Sequence, residues 1–426
     1  MSNFEISVLF FLQLALILTV CRTVGWLAKW VGQPQVVAEM IAGVVMGPSL
    51  FGWFLPDVQA WLFPATSTGL LYAVSQVGLV LYMFLVGLEF DTGLIRNRLR
   101  SAASVSLSGI LVPFGLGCIL GYFLVQGNDF FGAEVVAWEA MFFVGASMSI
   151  TAFPMLARII YERGLSGTSL GTLALAAGSI DDGAAWCVLA VVLASFSGAP
   201  MIAVLAIGGG TLYAVGTLTI GSKLLQPLGV MAEREKGVSP TLLTITLIVV
   251  MLGAWFTDRI GIYAVFGAFI MGAAMPRGRF AHEIQRQIEP LTTTFLLPLF
   301  FVYSGLNTRI NLVDSAWLWG IALVVLLAAC LGKGVACWAA ARFSGEDNRN
   351  ALAIGTLMNA RGLMELIILN IGLQRGIITP LLFTVMVIMA IVTTLMASPI
   401  FEWVYQRHPS VAYEQAAASV VPASSN

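Results

Sequence analysis

Charge is what this sequence has least of. Only 10% of its 426 residues are Asp, Glu, Lys or Arg, against about a quarter in a soluble domain, and that scarcity excludes an ordinary water-soluble fold. The net charge of −1 gives no bulk attraction to nucleic acid. Histidine is nearly absent, with two in the chain. Neither falls inside an apolar run and no nucleophile constellation is evident, so the chain reads as no enzyme and needs no cofactor. The five cysteines, Cys21, Cys118, Cys187, Cys330 and Cys337, lie in or at the ends of apolar runs with no CxxC or Cys/His cluster. A disulfide framework or zinc site is therefore not expected. The N-terminal MSNFEIS lacks the basic region of a signal peptide, and the apolar run behind it reads as a retained first helix.

What remains is apolar. Hydrophobic residues make up 59% of the chain, mean hydropathy is +0.92, and the apolar runs are about 20 residues long, enough to cross a ~30 Å hydrocarbon core. The expected class is an all-α polytopic membrane protein with 13 transmembrane helices. Its spans fall near 5–30, 35–51, 67–90, 100–125, 138–161, 168–196, 201–225, 240–257, 261–275, 290–307, 315–342, 350–372 and 378–404. Of the 21 Lys and Arg residues, only Arg259, Arg309 and Arg375 fall on one side of this layout, while Lys333 and Arg361 fall within spans. The other side carries all the rest and is cytoplasmic by the positive-inside rule. This places the N-terminus outside and the C-terminus inside, in a multi-pass protein of a bacterial-type inner membrane. The tail, 409–426, is rich in Ala and Ser from Val411 onward and is expected to be disordered and cytoplasmic.

Two echoes link the halves. GVVMGP (43–48) resembles AFIMGA (268–273), and LYMFLVGLEFDTGLI (81–95) resembles LFFVYSGLNTRINL (299–312). They pair span 2 with span 9 and span 3 with span 10, an odd offset of seven. The halves therefore read as two inverted-topology six-helix repeats, the architecture of secondary transporters whose sites lie at mid-membrane among discontinuous helices. Spans 5 and 12 are the expected crossed discontinuous helices. In SMSITAFPMLARII (147–160), Pro154 lacks an N–H and clashes with the Ile150 carbonyl, so the ladder breaks near 150–153. Ser147, Ser149 and Thr151 cluster there as candidate oxygen ligands. In LMNARGLMELI (357–367), Asn359, Gly362, Arg361 and Glu365 interrupt the span. Half-helix ends at mid-membrane expose opposed dipoles that nearby charges compensate. Arg361 and Glu365 also have the i,i+4 spacing of a structural ion pair.

Span 6 carries GSIDDGAAW (178–186), two adjacent carboxylates near its midpoint. Neighbours on a helix point about 100° apart, so Asp181 and Asp182 can face different partners. Ionised carboxylates at the bilayer centre cost several kcal/mol unless paired, hydrated or protonated. Lys333, in CLGKGVACW (330–338) on span 11, is the intramembrane lysine available to neutralise one of them. The other is left for a monovalent cation or a proton, which exclude each other. If the site faces either side in turn, but only when occupied, exchange of cation for proton follows. Two other readings stay open: a passive cation channel or leak path, which needs a continuous pore, and a Na+-coupled organic-anion symporter, which needs a larger polar cavity than Asn359, Arg361 and Asn370 offer. Glu39, in span 2, lines a cation access route or bonds to a neighbouring backbone. Glu89, Asp91 and Glu402 sit near interfaces.

The segments QPQVVAEMIAGVVMGPSLFG (33–52), FLVGLEFD (84–91), SITAFPMLARII (149–160), LAAGSIDDGAAW (175–186), LPLFFVYSGLNT (297–308) and MNARGLMELIILNIG (358–372) cover nearly the whole transmembrane chain. In this order they resemble the monovalent cation/proton antiporters of the second branch, which includes bacterial Na+/H+ antiporters, Kef-type efflux proteins and plant cation/H+ exchangers. The resemblance implies a homodimer and elevator-like movement of a core domain past a dimerisation domain. The dimerisation domain would comprise 1–95 and 237–312, the core ion-transport domain 96–198 and 313–408, with 199–236 as linker helix 7. It also implies that Asp182 is the main carboxylate for Na+ or K+, that Asp181 pairs with Lys333 and shares in proton coupling, and that Thr151 and its neighbours contribute at the crossover. The double aspartate with the lysine resembles the electrogenic subgroup, in which more protons than cations are exchanged. The chain ends soon after span 13, so the nucleotide-binding domain of Kef-type members is not expected, while a separate regulatory subunit remains compatible.

Overall fold

The computed structural model describes residues 2–405 apart from 31–32, 34, 90–98, 128, 154–155, 157–158, 161–164, 166–167, 197–199, 261–262 and 362. Side chains are also left aside at 3, 36, 99, 179, 182–183, 186–187, 189–196, 200–207 and 363–364. Pro154, Gly362, Asp91, the tail 409–426 and the side chain of Asp182 therefore lie outside the described residues.

Among the described residues the chain is all-helical and has no strand, only an isolated bridge between Phe131 and Ile378. In order, the helices are α1 (Asn3–Trp30), α2 (Gln35–Met46), the short α3 (Phe51–Phe54) and α4 (Pro56–Leu62), α5 (Ala65–Glu89), α6 (Leu99–Leu124), α7 (Ala137–Ser149), α8 (Ser169–Phe196) and α9 (Pro200–Gly216). They continue with α10 (Ser222–Arg234), α11 (Pro240–Arg259), α12 (Ala264–Ala274), α13 (Arg279–Leu291), α14 (Leu297–Leu306), α15 (Ala316–Phe343), α16 (Asn348–Met358), α17 (Leu363–Gln374) and α18 (Pro380–Tyr405). Single π-turns, Thr217–Gly221 and Thr292–Leu296, carry α9 into α10 and α13 into α14.

Among the described residues, seven helical segments are long and apolar enough to cross a membrane: Phe4–Trp30, Val37–Phe54, Ala65–Glu89, Arg100–Leu124, Pro240–Arg259, Ala316–Phe343 and Pro380–Tyr405. At about 1.5 Å per residue the longer ones exceed the ~30 Å that a hydrocarbon core requires. The chain is thus a multi-pass membrane protein. The remaining expected spans rest on shorter helices or partly outside the described residues.

Helix starts follow local chemistry. Ser239 and Ser315 accept the Leu242 and Leu318 N–H groups at the starts of α11 and α15, and Asp347 accepts those of Arg349 and Asn350 at α16. Each satisfies backbone donors that a helix start leaves open.

Two compact units emerge. One comprises Met1–Leu27, Ala38–Thr92 and Trp186–Asn311. Its helices meet at glycine. A Cβ on Gly47 would strike the Gly305 carbonyl where α2 meets α14, and one on Gly272 would strike the Phe84 carbonyl where α12 meets α5. Backbones this close leave no room for a side chain. The amphipathic α13 lies on the same unit, burying Phe280, Ile284 and Ile288 at helical spacing while Arg279 pairs with Glu233 at 3.2 Å. The other unit comprises Ala28–Val37, Gly93–Ala185 and Leu312–Asn426. There α6 lies against α7 through Gly117 and Gly121, α15 meets α16 through Gly355, and the core includes Val105, Leu156, Ala177, Ile354, Leu357 and Phe401. This second unit carries the candidate site.

Candidate functional site

Two interrupted helices build the frame. Helix α7 stops at Ser149 because Ile150 turns extended (φ −77°, ψ 138°), and Thr151 and Ala152 are also non-helical. Helix α16 stops at Met358, with Ala360 and Arg361 non-helical before α17. Spans 138–161 and 350–372 are therefore interrupted, as the sequence leads one to expect. Backbone groups that leave a ladder inside an apolar medium must find other partners, and here the facing break and α18 supply them. The Ala152 N–H donates to the Ala360 carbonyl at 3.2 Å. The Arg361 N–H donates to Thr394 Oγ1 at 3.2 Å, and Thr394 Oγ1 lies 2.7 Å from the Arg361 carbonyl.

The last four carbonyls of a helix have no partner within it and form the negative end of its dipole. All four on α7 are occupied. Ser149 Oγ donates back to Ala146 O at 2.8 Å. Arg361 donates through Nη1 to Ser147 O at 3.3 Å and through Nη2 to Met148 O at 2.7 Å. Lys333 Nζ donates to Ser149 O. Two buried cations thus sit on one helix terminus. Arg361 also pairs with Glu365 at 3.5 Å, both within the interior.

Asp181, on α8, is the centre of the cluster and is buried. Its Oδ2 accepts Thr151 Oγ1 at 2.6 Å and Lys333 Nζ at 3.1 Å. Its Oδ1 accepts Ser106 Oγ of α6 at 2.5 Å. A buried ion pair offsets its desolvation cost only with good geometry and further hydrogen bonds, and this one has donors from α6, α15 and the α7 break. The Thr151 hydroxyl carries one proton and has a second acceptor, Met358 O at 3.3 Å.

The structure therefore brings Asp181, Thr151, Lys333, Arg361 and Glu365 into one cluster. Ser149 contributes its carbonyl, because its hydroxyl is turned back onto α7, and the Ser147 hydroxyl likewise bonds to Phe143 O at 2.9 Å. Asn359 caps α16. It lines an apolar cavity of about 340 Å³ with Trp338, Leu352, Thr356 and Met396, and neither Asp181 nor Lys333 lines that cavity. Glu39 belongs to the first unit, buried on α2. Ser106 was not anticipated. One serine among many in apolar runs carries no signal of its own, although its position in a helix otherwise built of small and apolar residues is compatible with an inward face.

Comparison with known proteins is consistent along most of the chain. The profile of the family described as "Sodium/hydrogen exchanger, transmembrane" matches residues 15–407. The Na(+)/H(+) antiporter NhaS4 of Synechocystis sp. is 40% identical over 400 residues, 92% of this chain and 96% of that protein. Cation/H(+) antiporter 18 of Arabidopsis thaliana is 34% identical over 93% of this chain, which spans about half (49%) of that protein's length. The solved sodium proton antiporter MjNhaP1 of Methanocaldococcus jannaschii has the same fold. Its TM-score is 0.59 at 14% identity, covering 91% of this chain and 94% of that one.

Proposed function

Because the chain belongs to the sodium/hydrogen exchanger family, we propose that it exchanges a monovalent cation, Na+ or K+, for protons across a membrane by elevator-type alternating access. The observation that carries this reading is the buried Asp181–Lys333 pair beside the crossing of two interrupted helices. A carboxylate enclosed in this way must be neutralised by an ammonium, a metal cation or a proton. Metal cation and proton compete for the same oxygens, so the site carries one or the other.

In this mechanism Asp182 is the shared cation and proton carboxylate. Asp181 and Lys333 are the coupling pair: Lys333 yields the carboxylate when an ion or proton arrives and recovers it when the site empties. Thr151 turns its hydroxyl from Asp181 to the Met358 carbonyl and so presents lone pairs to the cation. Arg361, with Glu365 beside it, holds the end of α7 in place while the load changes. Two carboxylates accommodate more protons than cations per cycle, which makes the exchange electrogenic.

The wider architecture we propose is thirteen spans in two inverted repeats. It is supported by the paired crossings: Gly47 on Gly305 and Gly272 on Gly87 exchange places when the echoes GVVMGP with AFIMGA and FLVG with VYSG are superposed. The unit with α2, α5, α12 and α14 is the dimerisation domain of a homodimer, Glu39 lies on a cation access route, and the unit with α7, α8 and α15 is the moving core. The chain sits in an inner membrane with its C-terminus in the cytoplasm.

The test uses inside-out vesicles loaded with a proton gradient. Adding Na+ or K+ is expected to alkalinise the lumen, and Asp182→Asn to abolish the signal. A persisting signal in that variant removes Asp182 from the site. Cation conductance with no proton movement replaces exchange with a passive channel.

A further inference from the structure

Hydroxyls on buried helix faces commonly donate to a carbonyl of their own helix, one turn back. Ser147, Ser149, Thr246 and Thr384 do so here. Ser106 does not. It is fully buried on the continuous helix α6, and its hydroxyl leaves that helix to donate to Asp181 Oδ1 at 2.5 Å. The neighbouring part of α6 also meets Cys337, one turn beyond Lys333, and the coupling pair itself. The Val105 carbonyl lies 3.7 Å from Cys337 Sγ. Gly109, one turn beyond Ser106, leaves a space where a Cβ would stand 2.6 Å from Cys337 Sγ, 3.9 Å from Lys333 Cε and 4.0 Å from Asp181 Oδ2.

We propose that Ser106 is a positioning residue of the ion site, one that occupies Asp181 Oδ1 and so weakens the hold of this carboxylate on the transported cation. The inference rests on the exchange reading above. Its physical basis is competition. A carboxylate has a limited number of acceptor sites, and each protein donor on it must be displaced or shared when a cation binds. Thr151 has the Met358 carbonyl as a second acceptor, so its hydroxyl can turn and offer its own lone pairs. Ser106 is aimed at Oδ1 from an uninterrupted helix and acts as a fixed donor. Tight binding slows release, so a donor that weakens binding helps a carrier that must let go on the other side. The bare Gly109 position keeps this contact open, because a side chain there would crowd Cys337 beside Lys333.

The test measures Na+ and K+ affinity by titration calorimetry on the purified protein, and KM and Vmax in proteoliposomes, at alkaline pH where proton competition is least. A hydrogen bond to a charged group is worth about a tenfold change in affinity or more. Ser106→Ala is therefore expected to lower Kd and KM by roughly tenfold and to lower Vmax as release slows, whereas Ser106→Thr restores both. If Ser106→Ala is not recovered folded, Ser106→Cys, with a weak thiol donor, carries the same expectation at smaller size. An unchanged or raised Kd in these variants, or a threonine variant as altered as the alanine one, overturns the inference and leaves exchange standing. A wild-type chain that binds and exchanges no cation overturns both.

Discussion

In both units of this protein helices meet at glycine, but one of them also gathers a cluster of buried charge. The unit with α2, α5, α12 and α14 has crossings at Gly47 with Gly305 and Gly87 with Gly272, where main chains touch and no side chain fits. Among its described residues the buried charged side chain is Glu39. The unit with α7, α8 and α15 buries Asp181, Lys333, Arg361 and Glu365 together. The difference teaches where conformational freedom can reside. Backbone-to-backbone contacts have one good geometry and are lost steeply with separation. A cluster of hydroxyls, ammonium and carboxylate has several arrangements of similar energy, and which one is populated depends on the charge it holds. The first unit suits a fixed frame, the second a site that changes its load.

The largest effect expected from breaking this contrast comes from Arg361→Ala. It uncovers the Ser147 and Met148 carbonyls and leaves Glu365 without its guanidinium. Removing one partner of a buried ion pair costs about 3–5 kcal/mol, so thermal unfolding in detergent is expected to show a severely destabilised protein. A variant of near wild-type stability detaches Arg361 from the end of α7. Next in size is Thr151→Val, which removes the hydroxyl that lies within reach of both Asp181 Oδ2 and Met358 O. Loss of a hydrogen-bonding group at a charged site is worth about 1.5–3 kcal/mol, and cation Kd is expected to rise about tenfold, opposite in sign to Ser106→Ala. Matching signs for the two variants would erase the distinction between the turning hydroxyl and the fixed one.

Gly305→Ala probes the other side of the contrast. Its Cβ has the Gly43 main chain in its way, and overpacking of this kind costs about 1–3 kcal/mol. The expected result is a lower melting temperature with cation affinity within about twofold of wild type. A change in affinity larger than the change in stability would mean that the glycine crossing takes part in the site.

Much of the class was legible in the sequence for a thermodynamic reason. Apolar runs of membrane length and charges inside them are each costly in water or in lipid, so they have few interpretations, and Asp181, Lys333 and Arg361 stand out at once. Partnership was less legible. Nothing in LMNARGL says that the Ala360 carbonyl takes the Ala152 N–H, because that bond depends on two main chains crossing and not on side-chain identity. The direction of a hydroxyl is equally hidden. Ser106, Ser147, Ser149 and Thr151 look alike as small polar residues in apolar surroundings, yet two donate to Asp181 and two fold back on α7.

That ambiguity sets the smallest and sharpest prediction. Sequence reasoning places the Ser149 and Thr151 hydroxyls side by side as oxygen ligands. The Ser149 hydroxyl instead donates to Ala146 O at 2.8 Å, and what reaches Lys333 is the Ser149 carbonyl. Alanine keeps that carbonyl. It removes only a back-bond of the kind that adds little to a helix. Ser149→Ala is therefore expected to change stability by about 0.5 kcal/mol or less, the range of substitutions that break no special feature, and to leave cation Kd, KM and Vmax within about twofold of wild type, in contrast to Thr151→Val two residues away. A tenfold loss of affinity in Ser149→Ala would mean that this hydroxyl turns from α7 into the site during the cycle. The end of α7 would then change its own hydrogen bonding as the load changes, rather than serve as the fixed terminus on which Lys333 and Arg361 rest.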